Sequence, residues 1–203
     1  MLCLLCHEIT QKTHQLCVDC EKILPKAKNI IYPDFHKIII PFEYNFPMDK
    51  LITRLKFQHQ LSHAKILGKL LANHVVEHYN NEPLPELLIP IPLHLKRLQE
   101  RGFNQAAEIA KPLSKTLKIP IEKYAFVRKK HTEAQSSLEK QARLKNIKNA
   151  FDMIAPISAK HVAIIDDVVT TGETLKEFAK ILRKNGIHKI DAWCLAQTPS
   201  STL

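Results

Sequence analysis

The segment from Val162 to Leu175 limits the folds open to this chain more than any other part of it. A short apolar run ends in two adjacent carboxylates, Asp166 and Asp167, and a polar segment then leads into residues with helical spacing. The apolar face of that helix consists of Leu175, Phe178, Ile181 and Leu182, with Gly186 at the expected C-terminal cap. The order predicts strand, loop and helix, with polar groups at the strand's carboxyl end, where open parallel α/β sheets bind ligands.

The loop after the carboxylates has the composition of a phosphate site. Thr170, Thr171, Gly172 and Thr174 supply backbone N–H groups and three hydroxyls at a helix N-terminus, which favours an anion. The carboxylates repel phosphate, but they suit sugar hydroxyls or a hydrated divalent cation beside it. The segment therefore indicates a sugar phosphate whose ring lies over the carboxylates. The alternative is a strand that ends in a solvated Asp-Asp turn capped by threonine.

The run Ile164–Thr174 resembles the phosphoribosyl pyrophosphate (PRPP) motif of type I phosphoribosyltransferases. The resemblance implies that Asp166 and Asp167 hold the ribose hydroxyls of PRPP, which binds together with magnesium. It implies that the 5′-phosphate is wrapped by Thr170, Thr171, Gly172, Glu173 and Thr174. Glu173 departs from the small residue often found there and brings a negative charge near the phosphate.

Charge and length restrict the class of protein further. A net charge of +10 on 203 residues favours phosphate-rich partners, either a pyrophosphate compound or nucleic acid, without choosing between them. The length suits one α/β domain with a small appendage. Since no apolar run approaches the ~20 residues of a membrane helix, we expect no membrane insertion. The N-terminus also lacks a signal-peptide pattern, so we expect a cytoplasmic protein.

Four cysteines near the N-terminus form two C-x-x-C pairs, Cys3 with Cys6 and Cys17 with Cys20, separated by ten residues. Each pair lets two thiolates reach one metal ion from a tight turn, and four thiolates suit tetrahedral zinc. Two disulfides would need an oxidising compartment, and a redox C-x-x-C would follow a strand. The spacing therefore predicts a structural zinc knuckle over residues 1–30, followed by the main domain over residues 31–203.

The next part of the chain predicts one strand and two helices. Residues 35–44 contain a strand that Pro41 confines to an edge or ends, and helices follow at Met48–Phe57 and Leu61–Tyr79. Residues 50–76 carry cations and no acidic residue; these are Lys50, Arg54, Lys56, Lys65 and Lys69. This strip is either a solvated helical face or a surface that follows a phosphate backbone.

A second polar cluster follows the apolar run that begins at Leu87. The run predicts a buried strand, a Pro-bounded turn and then Lys96, Arg97 and Arg101. Asn104 is a suitable N-cap for a helix over residues 105–117, which Pro112 should kink or end early. Guanidinium groups at a second strand end fit a pyrophosphate, because the arginine fork matches its oxygens. The alternative is an exposed helix carrying like charges.

A third basic region covers residues 128–148. Against Glu133 and Glu139 it has seven cations: Arg128, Lys129, Lys130, Lys140, Arg143, Lys145 and Lys148. Residues 136–139 fit a capping box, so a helix is predicted to begin there, after a mobile loop over residues 128–135. The loop could close over a bound ligand, bind single-stranded DNA, or be solvated.

The last strand is predicted over Lys189–Ala196, and it contains the fifth cysteine, Cys194. We expect a buried and inert thiol there rather than a nucleophile.

The chain as a whole is similar to the ComF (competence protein F, GntX-like) branch of the phosphoribosyltransferases. The similarity rests on the cysteine knuckle, on Ile91–His94 with Arg97 and Arg101–Gln105, and on the PRPP motif. It also rests on a segment with Val127, Arg128, Thr132, Gln135, Leu138, Arg143, Asn146, Ala150 and Phe151. It implies an open, mostly parallel sheet flanked by helices. The further PRPP-binding set that it implies is Pro92, Leu93, His94, Arg97, Arg101, Arg128 and Gln135.

The ComF resemblance also implies a function in natural competence. The expected activity is PRPP binding in DNA uptake and transformation, with handling of single-stranded DNA and with other DNA-uptake proteins as candidate partners. The candidate nucleic-acid residues are Arg54, Lys56, Lys129, Lys130 and Arg143. The alternative is an active phosphoribosyltransferase acting on an unidentified base or small acceptor. The sequence assigns no catalytic residue and leaves turnover open.

Overall fold

The computed structural model describes residues 2–10, 15–28, 32–57, 60–130 and 147–199. The helices in this part are α1 (Val18–Lys22), α2 (Met48–Phe57), α3 (Leu61–Tyr79), α4 (Leu95–Arg101), α5 (Gln105–Leu117) and α6 (Glu173–Lys184). The strands are β1 (Lys37–Ile39), β2 (Phe42–Glu43), β3 (Leu87–Pro90), β4 (Phe126–Arg128), β5 (Phe151–Met153), β6 (His161–Val169) and β7 (Lys189–Gln197). Gln135, Arg143 and the helix predicted from residue 136 lie outside the described residues.

The central sheet is parallel, with the strand order β1-β7-β6-β3, and β2 continues along β7 beyond β1. β1 and β2 are separated by Pro41, which confirms the edge strand that the proline predicted. β4 and β5 form a separate antiparallel pair. Each face of the sheet is covered by helices, so the predicted α/β class and parallel sheet are confirmed.

Alternate residues of β6 enter two different cores, as the pleat of a strand requires. Ala163 and Ile165 pack with α2, α3 and α5, whereas Val162 and Ile164 pack with α6, β4 and β5. The knuckle joins the first core, since Cys3, Leu16, Cys20 and Leu24 belong to the same cluster of buried residues as α2 and α3. The boundary at residue 30 stays a prediction.

The helix boundaries predicted for α2 and α3 agree with the structure to the residue. The predicted end of β6 was too early, because the strand continues beyond Asp166 and Asp167 to Val169. Its last residues pair with Ala196 and Gln197 of β7, which supply backbone partners beyond the apolar run. The described residues contain no helix with both the length and the apolar character that crossing a membrane requires.

Pro112 lies inside α5, and the helix covers Gln105–Leu117 as predicted, so the proline does not end it early. The proline packs instead against α3. An added Cβ on Gly68 would lie 2.2 Å from Pro112 Cγ and 2.5 Å from the carbonyl oxygen of Ile109. The absence of a side chain at Gly68 therefore sets the close approach of α3 and α5.

We expect Gly68→Ala to lower the free energy of unfolding by about 1–3 kcal/mol, because the added methyl group overpacks this contact. The loss should appear although alanine has the higher helix propensity. The measurement is urea unfolding. The matched control is Asn73→Ala on the exposed face of α3, which should be neutral or slightly stabilising. Equal stability of Gly68→Ala and the wild type would contradict the close packing.

Candidate functional site

The four cysteines of the knuckle come together as the spacing predicted. Their sulfur atoms all lie within 4.8 Å of one another, and all five cysteines of the chain are free thiols. The Sγ atoms of Cys6 and Cys17 are 3.8 Å apart. Four sulfurs at about 2.3 Å from a tetrahedral ion are themselves about 3.8 Å apart. The cluster can therefore hold a metal ion without rearrangement of this pair.

Backbone amides and one arginine hold the knuckle in position. The N–H of Cys17 donates to Cys3 Sγ, and that of Cys20 donates to Cys17 Sγ, both at 3.4 Å. Burial raises the pKa of Cys3, but amide donors outweigh it and lower the pKa to about 6. Arg54 Nη1 donates to the carbonyl of Leu4 at 3.0 Å and so ties α2 to the knuckle.

The carboxylate pair lies within β6 near its carboxyl end, and each side chain is fixed locally. Asp166 Oδ1 accepts from the N–H of Asp167 at 2.9 Å, and Asp167 Oδ1 accepts from the N–H of Val168 at 2.7 Å. Asp167 Oδ2 forms an ion pair with Lys56 Nζ at 2.8 Å, and both side chains are largely buried. The pair therefore presents one carboxylate neutralised by a lysine and one for which the described residues show no direct ion pair.

The two carboxylates have different electrostatic environments. Burial and the charge of Asp167 raise the pKa of Asp166 from 3.8 to about 7, despite the nearby Lys56 and Arg128. Burial lowers the pKa of Lys56, but Asp167 and then Asp166 raise it above its ordinary value. Asp166 thus gains from any additional cation or hydrogen-bond donor that a ligand brings. Burial and the nearby aspartates also raise the pKa of Cys194 well above its ordinary range, and the predicted burial of this thiol is confirmed.

The phosphate loop is short, because β6 ends at Val169 and α6 begins at Glu173. Gly172 caps α6 with a φ of +77°, which glycine adopts without strain. Thr198 holds the strand end by donating from its N–H to the Val169 carbonyl at 2.9 Å. Glu173 forms an ion pair with Lys176 at 3.4 Å, one turn along α6, so part of its charge is neutralised within the helix.

Tyr32 packs directly on this loop. Its Cε1 atom lies 2.6 Å from the position that a Cβ on Gly172 would take, so no other residue fits there without a shift of the ring. Burial raises the pKa of the Tyr32 hydroxyl, which keeps it neutral. The sequence did not predict this contact, since a single tyrosine between prolines gives no signal of its partner.

The second polar cluster lies after β3. His94 caps α4 by accepting from the N–H of Lys96 at 3.2 Å, and Arg101 Nη1 donates to Gln105 Oε1 at 3.0 Å. Asn104 caps α5 as predicted and also donates to the carbonyl of Ile91 at 2.9 Å, which fixes the turn containing Pro92 and Leu93. Both predicted features of this turn, the buried strand before it and the capped helix after it, are confirmed.

Two arginines of the predicted set lie within electrostatic range of the carboxylates. Arg128 forms a backbone bridge with His94, and its guanidinium lies over the Phe151 ring at 5.4 Å. Burial lowers the pKa values of both Arg97 and Arg128. The charge of Arg101 lowers the pKa of Arg97 further, and the charge of Arg97 lowers that of Arg128. Arg97 also interacts with Asp167, and Arg128 with Asp166. The structure thus joins the two polar clusters into one site.

Arg128 was predicted to begin a mobile loop, and this was wrong. It is the last residue of β4 and pairs with Phe151 of β5. The physical reason is the antiparallel partner, which lies over 20 residues away and was not evident from residues 128–135. Lys129 and Lys130 follow the strand and are also anchored: Lys129 pairs with Asp152, and Lys130 donates to the Lys148 carbonyl at 2.6 Å.

The candidate nucleic-acid residues are dispersed. Arg54 bonds the knuckle, Lys56 bonds Asp167, and Arg143 lies outside the described residues. The α2 cations therefore do not form the continuous solvent-facing strip that the sequence suggested. Lys129 keeps a side-chain exposure of 59%, so it retains access to a partner. The ion pair of Lys56 with Asp167 was not predicted from the sequence, because the two residues are more than a hundred positions apart.

The chain is similar to several known proteins. A family model described as phosphoribosyl transferase domain matches residues 99–203. A DNA utilization protein of Shigella flexneri is 33% identical over 205 residues, with coverage of 97% of this chain and 90% of that protein. Competence protein F of Haemophilus influenzae is 39% identical over 170 residues, with coverage of 81% and 74%. A purine phosphoribosyltransferase structure from Pyrococcus horikoshii superposes with a TM-score of 0.42, 20% identity, and coverage of 67% and 74%.

Proposed function

Since the chain belongs to the phosphoribosyltransferase domain family, in the branch that contains competence protein F, we propose that it binds PRPP. PRPP combines a ribose with free hydroxyls, a 5′-phosphate and a pyrophosphate. Each part has a counterpart of matching chemistry in the site: Asp166 and Asp167, the loop 170–172 at the start of α6, and the guanidinium groups of Arg97 and Arg128. The observation that carries the proposal is that both arginines lie within electrostatic range of the two carboxylates, and that β6, which carries these carboxylates, leads directly into the loop.

The residues present fit a magnesium ion brought in with PRPP. Asp166 and Asp167 are oxygen donors, and a hydrated Mg²⁺ takes one or two carboxylates together with phosphate oxygens. The ion would supply charge for the pyrophosphate. Lys56 holds the Asp167 side chain in place through its ion pair at 2.8 Å, so that Asp167 would accept from a ribose hydroxyl in a fixed direction. For the cysteine knuckle we propose zinc as the bound metal.

A fragment titration tests the proposed ligand. Calorimetry with Mg²⁺ and PRPP, ribose 5-phosphate or pyrophosphate should rank PRPP as the tightest ligand, because only PRPP reaches all three subsites at once. Ribose 5-phosphate should retain the contacts of Asp166, Asp167 and the loop. Pyrophosphate that binds as tightly as PRPP would contradict the sugar subsite.

We place this PRPP site in DNA uptake, with single-stranded DNA as the partner. The support is the relatives' names, the net charge of +10 and the exposed basic residues at the end of β4. Phosphate contacts release counterions, so the affinity should fall steeply as salt rises. This proposal does not depend on whether the site turns over PRPP.

Charge reversal tests the DNA surface. The double variant Lys129→Glu, Lys130→Glu should weaken binding to a single-stranded oligonucleotide by at least about tenfold and flatten its salt dependence. The matched control is Lys115→Glu, Lys123→Glu, which changes the net charge equally at two exposed lysines elsewhere. Equal losses in both variants would show that total charge, rather than this surface, determines the affinity.

The alternative function is an active phosphoribosyltransferase. The observation in its favour is the pair of arginines beside the carboxylates, since cations there would stabilise a departing pyrophosphate. The experiment supplies PRPP, Mg²⁺ and a panel of bases or single-stranded DNA, and measures pyrophosphate release. Release that depends on one acceptor identifies a transferase. Tight PRPP binding without release identifies a binding module.

A further inference from the structure

A second cluster of metal-ligating side chains lies at the opposite end of the sheet from the proposed PRPP site. His36 comes from the segment before β1, His161 begins β6, and Asp191 is in β7. The ligand atoms of these three residues all lie within 4.8 Å of one another. From His161 to Asp166 the strand runs about 17 Å, so the two sites do not share ligands.

Asp191 is the centre of the cluster and is fully buried, with 0% exposure. Its Oδ1 bonds His36 Nδ1 at 3.0 Å, and its Oδ2 bonds His161 Nε2 at 2.6 Å. The hydroxyl of Tyr79 also donates to Oδ2. A buried carboxylate is costly unless positive charge compensates it. His36, His161 and Tyr79 therefore all bond to the carboxylate of Asp191.

The neighbouring lysines do not provide that charge by direct contact in the described part of the chain. Lys37 Nζ bonds Glu82 at 3.0 Å, donates to the His78 carbonyl and lies over the Tyr79 ring. Lys189 acts on His161 only at longer range. Compensation therefore depends on the two imidazoles or on a bound cation.

The geometry matches a divalent ion held by nitrogen and oxygen. Ligands at about 2.0–2.1 Å from a tetrahedral ion are about 3.3 Å apart. The observed nitrogen–oxygen separations of 3.0 and 2.6 Å reach that value with shifts below an ångström. Imidazole and carboxylate suit zinc and the neighbouring first-row metals. Tyr79 donates a hydrogen bond to the carboxylate from outside the coordination sphere and so orients it, as hydrogen-bond partners of metal ligands commonly do.

We propose that His36 Nδ1, His161 Nε2 and the Asp191 carboxylate bind a divalent transition metal, zinc in the first instance. The side chain of His36 is 41% exposed, so the fourth ligand is a water molecule from the solvent side. Each imidazole binds the metal through the lone pair of an unprotonated nitrogen. A histidine that is protonated before binding therefore releases its extra proton to the solvent. The ion joins the segment before β1 to the starts of β6 and β7, so it stabilises the sheet at this edge.

Metal content at buffered free zinc concentrations tests this site in the full-length protein. We expect about two zinc ions per chain at saturation, one at the four thiolates and one at the cluster, with the thiolate site filling first. Cobalt distinguishes the two, because only thiolate-bound Co²⁺ shows strong sulfur-to-metal charge-transfer absorption. His36→Gln should reduce the total to about one, without loss of the thiolate signal.

His36 was chosen for the variant because it is exposed and its replacement leaves the buried Asp191 bonded to His161 and Tyr79. The matched control is His188→Gln, which removes another exposed histidine close to the start of β7 and should still bind about two ions. A wild-type protein that saturates with thiolate-bound metal alone overturns the proposal. Two ions in His36→Gln overturn it as well.

Discussion

Replacing Lys56 by methionine is expected to lower the thermal midpoint at pH 8 by roughly 10 °C. Lys56 Nζ lies 2.8 Å from Asp167 Oδ2, and both side chains are largely buried. Removal of one partner leaves a buried charge without its counter-ion, which costs about 3–5 kcal/mol, and 1 kcal/mol moves the midpoint of a chain this long by about 2–4 °C. The matched control Lys65→Met, on the exposed face of α3, should change the midpoint little.

Asp166→Asn should shift stability in the opposite direction in the ligand-free protein. The pKa of Asp166 is raised in the folded state from 3.8 to about 7 by burial and by Asp167. A group with a raised folded-state pKa binds its proton more tightly when folded. Its contribution is therefore fully present below pH 3.8 and is lost as pH rises through about 7. At pH 8 the ionised carboxylate destabilises the fold, and asparagine removes that charge.

Thermal unfolding of Asp166→Asn at two pH values checks the sign. The variant should melt several degrees above the wild type at pH 8, and the difference should shrink as the pH falls to about 3, where Asp166 is largely protonated in both states. The same variant should bind PRPP more weakly. A lower midpoint at pH 8 would show that Asp166 is stabilised by partners rather than strained by burial, and would contradict its availability for a ligand.

The second large effect is expected at the cysteine knuckle. The double variant Cys6→Ser, Cys17→Ser should lose the thiolate-bound zinc and about 10 °C or more of thermal midpoint, because structural zinc contributes several kcal/mol or more to folding. Substitution at these two positions removes metal ligands with little other effect on packing or capping. Cys6 is exposed, and Cys17 caps α1 through its side chain, a position where serine is equally suitable.

Cys194→Ala is the matched control for the knuckle. It removes the fifth cysteine, which is buried in the other core, and should cost about 1–2 kcal/mol through the small cavity. Its zinc content should equal that of the wild type. If the double variant keeps both its zinc and its midpoint, the four cysteines do not hold a structural metal. Since Cys3, Leu16 and Cys20 pack with α2 and α3, loss of the metal should also loosen those helices.

Local patterns predicted the elements of the fold well. The apolar spacing in α2 and α3, the N-cap at Asn104 and the strand-loop-helix unit at residues 162–186 all depend on neighbours in sequence, and each is present in the structure. The four-cysteine cluster could also be predicted, because two C-x-x-C pairs at this spacing are typical of a metal site. In each case the residues that determine the structure are close to one another in the sequence.

Contacts between distant segments could not be read in the same way. The sequence grouped Lys56 with a basic strip, whereas in the fold it pairs with Asp167. Arg128 was predicted to lie in a loop, whereas it pairs with β5. His36, His161 and Asp191 are separated by 125 and 30 positions in the sequence and show no motif. The topology of the sheet, rather than any local pattern, brings each of these groups together.

The most direct test of PRPP binding is a calorimetric titration of the wild type and of Asp166→Asn, Asp167→Asn with PRPP at saturating Mg²⁺. Hydrogen bonds to charged groups contribute about 1.5–3 kcal/mol each, so loss of both carboxylates should weaken binding by at least about 100-fold. We predict one PRPP per wild-type chain, dependent on Mg²⁺, and no measurable binding to the double variant at the same concentrations. No binding to the wild type, or equal binding to both proteins, would contradict a PRPP site at these carboxylates.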